Sequence, residues 1–229
     1  MLFRSGNIAP TRRIVGAATM LNHPNEIVAS ATELFVAQSS KSVLVFPISA
    51  SGSVAPTRVI AGTATTFAEP FGMAIQNGEL YVSDSMAPTV DVFPIAANGN
   101  VVPTRRLFGT TTALAGPRVL SIANNQLLAS NNTGSTINVY PVTATGDIAP
   151  TRQLAGASTL LSFPDQKAVL RNFLYIANSQ ANAILVFNLT DTGNVAPKRT
   201  LMGTLTGFGG PEGSAGRSRW RSPGREPDS

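Results

Sequence analysis

The chain has 229 residues, of which 43% are hydrophobic and 13% charged, with 17 Lys+Arg against 12 Asp+Glu for a net charge of +5. It has no cysteine, which excludes disulfide frameworks, zinc–thiolate sites, iron–sulfur clusters and thiol nucleophiles, and its single histidine, His23, excludes chemistry built on a histidine cluster. Charge well below the roughly 25% of an average soluble domain, with 20 Gly and 16 Pro, favours strands and turns over helices and leaves ample apolar mass for a core.

From Gly6 onward the sequence repeats. The block Gly-x-(Ile/Val)-(Ala/Val)-Pro-(Thr/Lys)-Arg occurs five times, with prolines at Pro10, Pro56, Pro103, Pro150 and Pro197, spaced 46, 47, 47 and 47 residues apart. Its arginines are Arg12, Arg58, Arg105, Arg152 and Arg199. A second block, Gly-x-x-Thr-x-(Leu/Met/Phe)-x-x-Pro, follows each time. It carries Thr19, Thr65, Thr112, Thr159 and Thr206 and closes on Pro24, Pro70, Pro117, Pro164 and Pro211. Such a period is the signature of a tandem-repeat architecture.

Each repeat predicts four short strands. The first follows the closing proline, as in Phe71-Gly72-Met73-Ala74-Ile75. The second is Leu34-Phe35-Val36-Ala37 and its counterparts from Leu80, Leu127 and Leu174. The third ends in Val45-Phe46-Pro47, Val92-Phe93-Pro94, Val139-Tyr140-Pro141 and Val186-Phe187-Asn188. The fourth starts at the arginine, as in Arg58-Val59-Ile60-Ala61. These runs are β-branched or aromatic and bounded by turn formers, and no segment has a helical period with caps.

Four antiparallel strands in about 47 residues, repeated in tandem, read as β-propeller blades, because one sheet cannot bury both its faces alone. Complete blades are expected at 24–62, 70–109, 117–156 and 164–203. Before them stand Leu2-Phe3, as the end of a third strand, and a fourth strand over Arg12 to Val15. Residues 1–211 therefore form the repeat domain. Residues 212–229 are all but devoid of strand formers. They hold four arginines (Arg217, Arg219, Arg221 and Arg225), three acids and the one tryptophan, Trp220, and read as a disordered basic tail. The abrupt loss of the repeat after Gly213 also reads as a broken frame or fragment of a larger ring, the preferred reading. A milder alternative is a five-bladed ring whose two termini together supply the fifth sheet.

With Gly-Asn-Val-Ala-Pro-Thr-Arg blocks followed by Leu-Tyr-Val-Ala-Asn and Ile-x-Val-Phe-Pro strands, the chain resembles the bacterial NHL-type repeat propellers over residues 2–213. The resemblance implies an all-β propeller and points to no one functional subfamily.

Positions common to all repeats are read as scaffold. The threonines are expected to bond backbone in the loop between fourth and first strands, and the arginines to form a solvated or inter-blade bridging row. Positions that break the repeat are the functional candidates. The residue before the closing proline is His23, Glu69, Gly116, Phe163 or Gly210, and the residue ending the second strand is Gln38, Asp84, Asn131 or Asn178. His23, Glu69, Asp84, Asn131 and Asn178 are thereby placed to converge at one mouth of the central channel. Oxygen donors of this kind suit Ca²⁺ or Mg²⁺, as in metal-dependent lactonases of the gluconolactonase type. Against this, Asp or Asn after a strand is an ordinary turn starter that bonds its own backbone. The single His23 excludes a lyase that uses several histidines, as in the streptogramin lyase type.

The function expected is a non-enzymatic binding or scaffold module presenting its channel face to a protein or carbohydrate partner. The alternatives are a divalent-metal-assisted lactonase and weak binding of nucleic acid or another polyanion through the arginines. No cofactor is expected on the first reading, and Ca²⁺ on the second. No stretch reaches the ~20 apolar residues of a membrane helix. The start of the sequence lacks the apolar region of a signal peptide, which predicts a cytoplasmic chain unless the N-terminus is truncated.

Overall fold

A computed structural model describes residues 9–211. The tail at 212–229 and the Leu2-Phe3 strand end lie outside the described residues. The fold is all-β: four consecutive four-stranded antiparallel sheets, with three-residue 3-10 turns as the only helical elements among the described residues. The first sheet holds β1 (Pro24–Ala29), β2 (Glu33–Gln38), β3 (Ser42–Pro47) and β4 (Arg58–Ala61). The second holds β5 (Pro70–Gln76), β6 (Glu79–Asp84), β7 (Thr89–Pro94) and β8 (Arg105–Leu107). The third holds β9 (Pro117–Ala123), β10 (Gln126–Asn131), β11 (Thr136–Pro141) and β12 (Arg152–Leu154). The fourth holds β13 (Pro164–Leu170), β14 (Phe173–Asn178), β15 (Ala183–Asn188) and β16 (Arg199–Met202). Each is a simple meander, and these are the four expected propeller blades. No closed ring is formed among the described residues.

The strand expected over Arg12 to Val15 is reduced to one parallel bridge between Ile14 and Gly52. A fourth strand needs a third strand beside it, and none of the described strands lies there.

The threonines act as expected. Each hydroxyl donates to the carbonyl of the glycine three residues earlier, at 2.6–2.7 Å for Thr19, Thr65, Thr112, Thr159 and Thr206. The same oxygen accepts the N–H two residues on, so a single side chain closes a 3-10 turn from both ends.

Consecutive sheets are joined by a junction that repeats with the sequence. The glycine of one turn donates to the fourth strand of the sheet before, Gly99 to Val59, Gly146 to Arg106 and Gly193 to Gln153, and Gly52 donates likewise to Arg13 ahead of the first sheet, at 2.6–2.7 Å. The arginine of that earlier strand reaches forward to carbonyls of the same turn. Arg12 bonds Ile48, Arg58 bonds Ile95 and Ala97, Arg105 bonds Val142, and Arg152 bonds Leu189 and Asp191. Between these outer staples lies the apolar core, one cluster per junction. Phe35, Val43, Val45 and Ile60 of the first sheet pack against Met73, Leu80, Val82 and Phe93 of the second. Full burial of one such aliphatic side chain stabilises by about 1.5–3 kcal/mol.

At the inner end, all four first strands carry a register shift just after their proline, at 24/26, 70/73, across 117 to 120, and at 164/167. A bulge there frees residues from ladder pairing and turns their side chains toward the neighbouring strand. The closest approach is made by Gly72, where a Cβ would run into the Arg118 carbonyl of β9. The Ser83 hydroxyl completes that contact, accepting from Gly72 N at 2.8 Å and donating to Arg118 O at 2.7 Å.

Because Gly72 is not in the left-handed region, space alone demands glycine. Gly72→Ala is expected to lower stability by about 1–3 kcal/mol in urea unfolding, through separation of β5 and β9.

Candidate functional site

The five residues singled out by sequence do not form one open cluster. Asp84, Asn131 and Asn178 are fully buried, as is Gln38 at 3% exposure. Each reaches the loop sixteen residues earlier and accepts an N–H there: Gln38 from Asn22, Asp84 from Ala68, Asn131 from Ala115 and Asn178 from Ser162, at 2.6–3.2 Å. Asp84 accepts three further N–H groups, from Glu69, Met86 and Ala87. Its turn-starting role is thus present, while the larger role of this position is to clamp the loop onto the end of the second strand.

His23 and Glu69 lie outside that clamp. His23 is exposed, has φ +52° and offers its carbonyl to Ser39 N, while its ring Nδ1 lies 2.6 Å from Asn22 Oδ1. Glu69 accepts from the Ser85 hydroxyl at 2.7 Å and lies 3.5 Å from the Ser39 hydroxyl. Among the described residues no three His, Asp or Glu side chains stand together as cation ligands.

A different set of repeat-breaking residues does converge, on the bulged inner strands. Glu26 of β1, Arg118 of β9, and Asp165, Gln166 and Lys167 of β13 surround the region where the four first strands approach one another. Glu26 Oε2 accepts Met73 N at 2.6 Å, and its Oε1 accepts the Gln166 amide at 3.2 Å. The latter bond spans 140 residues and links the first inner strand to the fourth. The Lys167 ammonium donates to the Val119 carbonyl and, at 3.1 Å, to the Ser130 hydroxyl. Arg118 lies 4.0 Å from Asp165 and stacks 4.2 Å above the Phe71 ring. Glu26, Asp165 and Lys167 are 8%, 6% and 9% exposed, whereas the Arg118 side chain is 35% exposed.

The cluster is electrically balanced, two acids against two bases, and desolvated. Burial pushes the Glu26 carboxyl up to about 7 and the Lys167 ammonium down to about 7, with the attraction between them opposing both shifts. Burial also raises Asp165, and the nearby Arg118 and Lys167 charges oppose it. Such a site offers fixed donors and acceptors with little net field.

Spacing alone does not reveal this cluster, because nothing in it marks the first strands as bulged. The signal was present in the alignment on the closing proline. Ile27, Met73 and Leu120 occupy one position, and the fourth repeat puts Lys167 there. A lysine in an apolar column marks either a break in packing or a buried charge.

No family model matches the chain, and no curated protein matches it. Among solved structures it is similar to the computationally designed Ika8 protein, with a TM-score of 0.53 and 13% sequence identity over 78% of this chain and 48% of that one. The chain thus spans about half the length of the designed protein, and at that identity the likeness is one of fold alone.

The two raised and lowered groups give stability a definite pH dependence. Glu26 binds its proton more tightly folded, at about 7, than at the ordinary 4.5. Its stabilising contribution is full below pH 4.5 and is lost as pH rises through 7. Lys167 runs the opposite way from its ordinary 10.5, its contribution being full above that value and lost as pH falls through 7. Thermal and urea unfolding are expected to show least stability near pH 7. The wild type is expected to lose stability as pH rises from 4.5 to 7, and Glu26→Gln to flatten that part of the profile.

Proposed function

We propose that the chain is a non-enzymatic binding or scaffold module that presents the inner-strand end of its sheets to a protein or carbohydrate partner. One observation carries this reading. The polar residues that recur in every repeat are spent on joining and clamping sheets, whereas Glu26, Arg118, Asp165, Gln166 and Lys167, which do not recur, gather on strands from different sheets. A balanced set of donors and acceptors suits a neutral hydroxyl- or amide-bearing ligand better than a polyanion. Arg118, half exposed at the edge of the cluster, is the side chain best placed to meet it.

The lactonase reading has less support. Both carboxylate oxygens of Asp84 already accept backbone N–H groups, and a divalent cation would have to replace those bonds. Polyanion binding through the arginine row has the same difficulty, because Arg58, Arg105 and Arg152 direct their guanidinium groups at carbonyls of the next sheet.

Glycan and peptide arrays probed with the full chain are expected to give binding that falls about tenfold in Arg118→Ala, for the loss of one charge-assisted hydrogen bond, with little salt dependence. Millimolar Ca²⁺ is expected to leave the melting temperature unchanged and to elicit no lactone hydrolysis. A calcium-dependent rise in melting temperature that Glu69→Gln removes, accompanied by lactone turnover, overturns the binding-module reading.

A further inference from the structure

The sheet junctions can be counted as edges and turns. An edge is a fourth strand with its arginine, its glycine and the 3-10 turn that follows. A turn has the form apolar-x-x-x-Gly-(Ser/Asn/Asp) and leads into the Pro-x-Arg block. The sequence holds five edges, at Ile14, Ile60, Leu107, Leu154 and Leu201, and five turns, with glycines at Gly6, Gly52, Gly99, Gly146 and Gly193. Four edges are matched to four turns by parallel bridges: Ile14 to Gly52, Ile60 to Gly99, Leu107 to Gly146 and Leu154 to Gly193. Among the described residues one edge is left without a turn, and one turn of the sequence lies outside them. The edge is at the end of the fourth sheet, and the turn is Leu2-Phe3-Arg4-Ser5-Gly6-Asn7.

The remaining edge keeps every device that works at the other junctions. Leu201 is 56% exposed, whereas its counterparts Ile60, Leu107 and Leu154 are 0%, 2% and 4% exposed. All of β16 is exposed, and Leu205 after it is fully so. Counterparts of Gly203 are filled from the next turn: Gly62 faces Asn100, Gly109 faces Asp147 and Gly156 faces Asn194, while nothing among the described residues meets Gly203. The N–H groups of Ala64, Thr111 and Ser158 each donate to that same Asn or Asp at 2.7 Å, and the counterpart donor is Leu205 N. Among the described residues Arg199 bonds only within its own sheet, to the Tyr175 hydroxyl.

Asn7 follows Gly6 as Asn100 follows Gly99 and Asn194 follows Gly193, and Gly6 precedes Arg12 by the same six residues that separate Gly52 from Arg58. The first and fourth sheets also meet at their inner strands, where Gln166 bonds Glu26. We propose that the Leu2–Asn7 turn docks on the β16 edge of the same chain, supplying the fifth junction. By correspondence with the other four, Gly6 N donates to the Thr200 carbonyl, Met202 N donates to the Gly6 carbonyl, and Leu205 N donates to the Asn7 side chain. Arg199 is then released from its own sheet to the Leu2 carbonyl. The docked segment runs from β16 to the Ile48–Ser53 turn that residues 12–18 already hold, so it bridges the fourth sheet to the first.

The chain contains no cysteine, so one engineered pair reports the contact cleanly. Full-length protein carrying Asn7→Cys and Leu205→Cys, oxidised with glutathione disulfide, is expected to form an intramolecular disulfide in the monomer. Adding Leu201→Lys should cut the cross-linked fraction about tenfold, because the apolar contact under the turn is lost. In a cysteine-free double-mutant cycle, Gly6→Val and Leu201→Lys should each lower the melting temperature, and the double variant no further than the worse single, as expected for two sides of one contact. Disulfide-linked dimers as the main product assign the edge to a second copy and overturn the proposal. So do the absence of any cross-link, a cross-link indifferent to Leu201→Lys, and full additivity of the two variants.

Discussion

Everything in this fold depends on a four-stranded sheet being unable to bury both of its faces by itself. Each sheet therefore has to be completed by the next, and the repeat is written around that junction more than around the strands. Three interactions recur at it: a guanidinium reaching forward to two or fewer carbonyls, a glycine exchanging a parallel bridge, and an apolar residue sealed underneath. The strands themselves vary freely among Val, Ile, Leu, Phe and Tyr. The arginine is chosen over lysine for a physical reason, since its planar fork serves a carbonyl ahead and an acid or amide behind at once. Arg58 does both, bonding Ile95 and Ala97 in the next sheet and Glu33 in its own at 2.6 Å.

A second constraint acts at the opposite end of each sheet. The loop from the fourth strand to the first must make a sharp reversal, and a buried Gln, Asp or Asn at the end of the second strand holds it. Because the clamp takes up the loop's orphan N–H groups, the loop stays ordered without side-chain help from its own tip. The tip is then free to vary, which is why His23, Glu69, Gly116 and Phe163 occupy one position. The inner strands gain a similar freedom from their bulges, and there the variation brings charge into the middle of the molecule.

Much of the fold was legible in the sequence. The prolines and arginines placed all four sheets with their strand order, and the threonines marked the loop where side chain bonds backbone, though not its 3-10 form. Over Arg12 to Val15 only the bridge at Ile14 is seen among the described residues, and the third strand expected beside it, at Leu2-Phe3, lies outside them. The site was legible only in part. Asp84, Asn131 and Asn178 drew notice as oxygen-rich breaks in the pattern, but whether such an oxygen faces a ligand or a backbone N–H sixteen residues away is decided by register, which spacing alone does not display. The Glu26 to Gln166 bond was out of reach for another reason. Nothing local ties residues 140 apart; only the curvature accumulated over three junctions brings them together. Lys167 was the readable member of that set, as the lysine in an otherwise apolar column.

Tandem arrays evolve by gaining and losing whole repeats through unequal recombination, and the junctions described above would tolerate such events, since each edge accepts any turn of the right form. The inner cluster would not. Removal of the fourth repeat strips Glu26 of Gln166 and of the Lys167 charge, and removal of the first leaves Lys167 buried without Glu26. A buried charge left without its partner is strongly destabilising, by several kcal/mol. The outer parts of the four sheets thus share one form of junction, whereas the inner cluster needs the first and the fourth sheet together.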